Sequence, residues 1–187
     1  MFNLINSEVL FVILCVGFGI YAAYYLWSAF KFARGYILAR KKYYEKYGKD
    51  SARHVNQFWG WAILFGIFCI FCIYSSINAD PSLEQLKWFR MAYFFVALIL
   101  FGQMVVAIVK RSALVGPEAI VLESAVIPWK SVVSMDPKKR GVQRVVDIVT
   151  TQGTYTVSRE MGLLLHDEYE KYRQSKKEKK LEKKGKK

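Results

Sequence analysis

The sequence predicts a membrane α-helical protein, three transmembrane helices joined to a small cytoplasmic α+β domain. Three observations carry this. Residues 9–27, 58–77 and 88–109 are apolar runs of membrane length. Lys and Arg gather in residues 28–57 and after Val109. Beyond Arg111 the apolar pattern turns from helical to strand-like.

Each run has about 19 to 22 residues, which at about 1.5 Å per residue covers a hydrocarbon core of about 30 Å. The first two contain no charged side chain, and the third contains only Arg90, within a turn of its start. A long side chain there reaches the headgroups. Aromatic residues mark the ends: Tyr24, Tyr25 and Trp27, then Trp59, Trp61 and Tyr74, then Trp88 and Tyr93. Rings with an apolar body and a polar edge favour the headgroup level. The first run is expected to be retained, because no basic segment precedes it and no small-residue cleavage site follows it.

Lys and Arg set the expected orientation. Residues 28–57 carry eight of them, whereas residues 78–87 carry only Lys87, against Asp80 and Glu84. The positive-inside bias puts the N-terminus outside a cell membrane, 28–57 inside, 78–87 outside and everything after Lys110 inside. The formal charge of +13 over 187 residues invites a nucleic-acid reading. Its location, in the inner loop and the Lys-rich tail, favours an anionic leaflet instead, and no nucleic-acid partner is expected.

Within the first run, Gly19 and Ala23 form a small-xxx-small pair suited to close helix packing. Residues 28–49 lack strong breakers except Gly35 and Gly48, so the first helix is expected to continue to Gly48, in the cytoplasm or along the membrane face. Arg40, Lys41 and Lys42 are candidate contacts there for anionic lipid or an acidic partner; a solvated helix face is the plain alternative. Asp50 and Ser51 offer an N-cap for a helix leading into the second run. Cys69 and Cys72 share one helix face, but their apolar setting disfavours the thiolate, so they and Cys15 are read as packing residues. Pro81 turns the chain between the second and third runs. Gln103 is a candidate for an interhelical hydrogen bond.

About 75 residues remain after Val109, enough for one small domain. Strands are expected at 120–122, 126–129 and 131–135, with 136–141 as a connecting turn. The longest strand is expected at 142–151, followed by a hairpin at Gln152-Gly153 and a returning strand at 154–158. From Arg159 a helix presents Met161, Leu165, Tyr169 and Tyr172 on one face, widened by Leu164. Past Gln174 the Lys/Glu tail reads as frayed helix or disorder. Trp129 is read as a core anchor. Lys138, Lys139 and Arg140 form a basic turn that is a second candidate for headgroup or partner contact.

Ile127-Pro128-Trp129 with Val132 or Val133, together with the 151–155 hairpin, resembles the bacterial pleckstrin-homology-like (PH-like) domains of small membrane proteins, including the YcxB-like group. The resemblance covers residues 112–173. It implies a curved antiparallel sheet capped by a C-terminal helix and used for binding or scaffolding, with no catalytic residues to carry over. The strands read here leave open whether the barrel closes.

No phosphate-binding loop, dinucleotide fingerprint, zinc-protease helix or nucleophile elbow occurs. His54 and His166 lie outside the runs, and Asp136 and Asp147 have no evident catalytic partner in sequence. No catalytic residue, metal or cofactor is expected. The function read from this is a non-catalytic integral membrane protein acting as an accessory or scaffold subunit, with other membrane proteins as partners. Two alternatives are a sensor of anionic lipid or envelope stress, and an oligomeric transporter or channel.

Overall fold

The structure, a computed structural model, describes residues 7–49, 51–57, 60–79, 86–140 and 143–185. They form two compact units: 1–32 with 59–108, and 33–58 with 109–187.

The first unit holds the start of helix α1 (Ser7–Tyr47), α2 (Gly60–Ile77) and α3 (Leu86–Lys110). All three are long and apolar enough to cross a membrane. Helix α3 packs against both others. Against α1, Phe11 meets Trp88 edge-on at 4.8 Å, and Gly102 admits Tyr25, whose ring would lie 2.7 Å from a Cβ there. Against α2, the Cys69 thiol donates to the Ala97 carbonyl (3.4 Å) and the Ser76 hydroxyl to the Arg90 carbonyl (3.1 Å). The buried positions are small ones: Ala22, Ala29, Ala62, Cys69, Cys72 and Ala97. Fewer than one in five residues of each apolar window is buried in the unit. Helix α2 alone exposes ten large apolar side chains, among them Ile70 and Ile77. Burying such a side chain stabilises by about 1.5 kcal/mol or more. Leaving ten in water forgoes a stabilisation comparable to the about 5–15 kcal/mol that holds a typical domain together, whereas a hydrocarbon solvent leaves no such gain to forgo.

The second unit is α+β. Strands β1 (Arg53–Asn56), β2 (Ser112–Val115), β3 (Ala119–Leu122) and β4 (Ala125–Pro128) make a four-stranded antiparallel sheet in that order. A 3-10 turn, Trp129–Ser131, leads to a three-stranded antiparallel sheet of β5 (Val132–Arg140), β6 (Gln143–Thr150) and β7 (Gly153–Ser158). Helix α4 (Arg159–Gly185) closes over the core. One hydrophobic cluster joins Val115, Ile120, Ile127, Trp129, Ile148 and Leu165, with Tyr169 and Tyr172 at its margin. Trp129 is 1% exposed, and its indole N–H donates to the Gly116 carbonyl at 2.8 Å. The expected helical face Met161, Leu165, Tyr169, Tyr172 is the one that packs inward. Leu164 does not widen it; that side chain is exposed, one step around the helix.

Several expectations need correction. Helix α1 does reach Tyr47 and ends at Gly48, whose φ of +83° suits a left-handed cap and whose N–H bonds the Tyr44 carbonyl. No helix follows, though. Ser51 donates to the carbonyls of Tyr47 (2.8 Å) and Gly48 (3.0 Å), tying down the end of α1, and residues 53–56 become β1. Asp50 lies outside the described residues, as do 58–59, the 80–85 connection and 141–142. Residues 136–140 are not a turn. They continue β5, pairing Asp136 with Asp147 and Lys139 with Arg144, which makes β5 longer than β6. Pro137 is tolerated because β5 is an edge strand, where one side of the backbone needs no partner. The second hairpin turns on Thr151 and Gln152, since Gly153 already pairs with Thr150. Strands β1 and β2 had no sequence expectation. The tail stays helical through Gly185, aided by Lys171–Glu168 and Arg173–Glu170 pairs one turn apart.

Candidate functional site

The strand pairing explains the first basic cluster. Along β6, Val146 and Ile148 face the core, and Val145 and Asp147 face away from it. Lys138 shares that outer face, and its ammonium meets the buried Asp147 carboxylate at 3.0 Å, which also accepts from the Thr156 hydroxyl at 2.7 Å. Lys138 is therefore already engaged. Lys139 and Arg144 are directly opposed. A like-charge pair of this kind costs about 0.2–1 kcal/mol. With Arg159 they line a hollow of about 320 Å³ at the hairpin tip. Arg140 ends β5, and its side chain lies outside the described ones. Arg144 and Arg159 were missed in the sequence because only the strand register and the start of α4 bring them to Lys139.

The second basic cluster divides. On α1, Tyr36, Ala39 and Tyr43 recur at helical spacing and are buried. Cross-strand pairing puts His54, Leu114 and Val121 on one face of the first sheet. His54 touches Arg40 and Tyr44, so α1 covers that face. Gly35 and Gly116 permit the approach. A Cβ on Gly35 would lie 2.9 Å from Ser124 Cβ, and one on Gly116 would overlap the Tyr43 hydroxyl. Arg40 stands between the rings of Tyr36 and Tyr44, at 5.8 and 5.9 Å from their centroids. Its guanidinium lies 3.0 Å from His54 Nε2. Arginine can only donate, so Nε2 accepts and the imidazole is the neutral Nδ1–H tautomer. Burial, and then the neighbouring guanidinium, hold the His54 pKa below its ordinary 6.5. Lys41 and Lys42 are exposed; Lys41 makes a loose pair with Glu45 at 3.9 Å. Arg40 thus joins the packing, and only the two lysines are presented outward.

A third surface was not legible in sequence. Strand β1 is the edge of its sheet, and all four of its residues line a hollow of about 270 Å³ with Val115, Leu164 and Glu168. The exposed Leu164 supplies its apolar wall.

Of the candidate packing residues, Gly19 lies against Phe95 (3.8 Å to a Cβ placed there), Gln103 is half-buried, and Ala23 is exposed while Ala22 is buried. Among the described residues, no group of three or more His, Cys, Asp or Glu is placed to hold a metal ion. Comparison with protein-family models, with curated proteins and with solved structures finds no match to this chain.

Proposed function

We propose that the chain is a non-catalytic multi-pass protein of a cell membrane, an accessory or scaffold subunit whose second unit, PH-like, docks a partner. The observation that carries this reading is the hollow beside β1. An edge strand offers main-chain hydrogen bonds to an added strand, and Leu164 offers an apolar contact for its side chains. The residues best suited to acid–base chemistry are committed to structural contacts, His54 to Arg40 and Tyr44, Asp147 to Lys138 and Thr156. The four-stranded and three-stranded sheets with a closing C-terminal helix support the PH-like assignment.

The β1–β2 pairing also supports the topology. A bilayer cannot divide a sheet, which favours 53–56 and 112–115 on one side with α2 and α3 crossing as a hairpin. The Lys and Arg distribution favours that side as the cytoplasmic one, with the N-terminus outside.

The test is a photo-crosslinker at Asn56 in the full chain, with native membranes solubilised in mild detergent and the adducts identified by mass spectrometry. A stoichiometric membrane-protein partner whose adduct disappears in Leu164→Asp is expected. Absence of any specific adduct would sink the reading.

The Lys139–Arg144–Arg159 hollow favours a second reading, a sensor of anionic lipid. It requires salt-sensitive binding of the full chain to anionic over neutral lipid. Equal binding to both would remove it.

A further inference from the structure

A separate groove in the second unit gathers cations from three elements. Lys46 in the last turn of α1, Lys130 in the 3-10 turn and Lys176 on α4 line a cavity of about 690 Å³. Tyr47 and Tyr172 line it too, and Glu118 is the one carboxylate among its described lining residues. The three lysines share no periodic spacing in the chain, so this is not the solvated face of one helix. It exists only because α1, the turn and α4 converge.

Among the described residues, no carboxylate forms an ion pair with these ammonium groups. The ion pairs among the described residues go to Lys41, Lys87, Lys138, Lys171 and Arg173, not to these three. Lys46 instead lies over the Tyr47 ring at 5.2 Å, and Lys176 over the Tyr172 ring at 5.8 Å. A cation–π contact holds an ammonium in place without cancelling its charge. Against Glu118 the groove keeps a surplus of two positive charges. Like charges held in a concave site repel one another unless an anion joins them.

We propose that this groove binds a phosphomonoester. Such a group carries about −1.5 to −2 charge at pH 7 and presents three acceptor oxygens, which matches the surplus and the three ammonium donors. Lysine serves phosphate as a point charge. The tyrosine rings flank the organic part, and the cavity falls within the about 300–1,000 Å³ usual for small-ligand sites. The same chemistry occurs in a lipid headgroup ending in a phosphomonoester and in a soluble organic phosphate. The inference is independent of partner docking at β1.

The experiment uses the full chain in an uncharged detergent. One calorimetric arm titrates glycerol 3-phosphate, with glycerol as control. The other titrates dihexanoyl phosphatidic acid, with dihexanoyl phosphatidylcholine as control. Saturable binding in the first arm alone identifies a soluble ligand, in the second alone a headgroup, and in both the monoester itself. Lys46→Gln, Lys130→Gln and Lys176→Gln are each expected to weaken binding about tenfold, the loss of one charge-assisted contact. All three are exposed, and an unchanged melting temperature checks the fold. A variant with the same single charge loss elsewhere, the exposed Arg34→Gln, is expected to bind within about twofold of the parent, as additive distant sites should. No saturable binding in either arm, or a loss in Arg34→Gln equal to that in the groove variants, overturns the proposal.

Discussion

The two units spend similar side chains in opposite ways. In the second, Leu114, Ile120, Ile127, Ile148 and Leu165 are all at most 1% exposed, and β2 and β3 are buried along their whole length. In the first, Ile20 is 66% and Ile70 is 70% exposed, and the buried hydrophobic positions are held by alanine and cysteine. The difference teaches which solvent each unit is built for. Where water is outside, large apolar groups turn inward and the hydrophobic effect holds the core. Where lipid is outside, burial gains nothing from water, and helices associate through close approach at small residues. Helix α1 contains both regimes. Its first part is apolar all round; from Tyr36 it buries one face against a sheet and presents lysines on the other.

That contrast breaks first at Trp129. Trp129→Ala should destabilise the second unit by about 3–5 kcal/mol, the cost of emptying a buried ring site. Ile70→Ala, facing outward in the first unit, should leave stability in detergent nearly unchanged. Chemical denaturation of the full chain followed by near-UV circular dichroism measures both, and comparable losses would contradict the division of solvents.

Gly162→Ala sharpens the contrast at smaller amplitude. A Cβ there runs into Val146, so α4 must shift on β6. Overpacking of this kind costs about 1–3 kcal/mol, and the gain in helix propensity returns up to about 1, so a net loss of about 1 kcal/mol is expected. Its removal by Val146→Gly, which takes away the Cβ at 2.5 Å as well as the Cγ atoms, in a double-mutant cycle would confirm the contact.

The smallest effect is pH. His54 has a folded pKa below its unfolded value of 6.5, because burial and Arg40 disfavour the imidazolium. The unfolded chain therefore binds more protons. The stability is fully present above pH 6.5 and is lost as pH falls from there toward the folded pKa. The group is only partly covered, so the slope is shallow. Thermal melts should show it in the parent and a flatter profile in His54→Gln; identical profiles would remove the role of His54.

The three membrane-length helices were readable because they are apolar on every side, a local property that needs no knowledge of neighbours. The face Met161, Leu165, Tyr169, Tyr172 was readable for a related reason, since periodicity alone selects it. Strand β1 was not. Arg53-His-Val-Asn is polar and short, and its partner β2 lies across two helices in the chain. Residues 136–140 misled because proline and lysines resemble a turn, and only pairing with 143–147 extends them. Ala23 was preferred to Ala22 on spacing, but the packing of α3 decides which small residue is covered.

By itself the sequence determined the number and extent of the apolar helices, the separation of apolar and charged segments, the length of α1 and the inward face of α4. These follow from side-chain transfer energies and helical period, which act over a few residues. The tertiary structure alone decided that residues before α2 and after α3 share a sheet, that Arg40 is packed and Lys41 is not, and that Lys46, Lys130 and Lys176 meet in one groove. Those outcomes depend on hydrogen-bonded register and on contacts between residues tens of positions apart, and no local pattern encodes them.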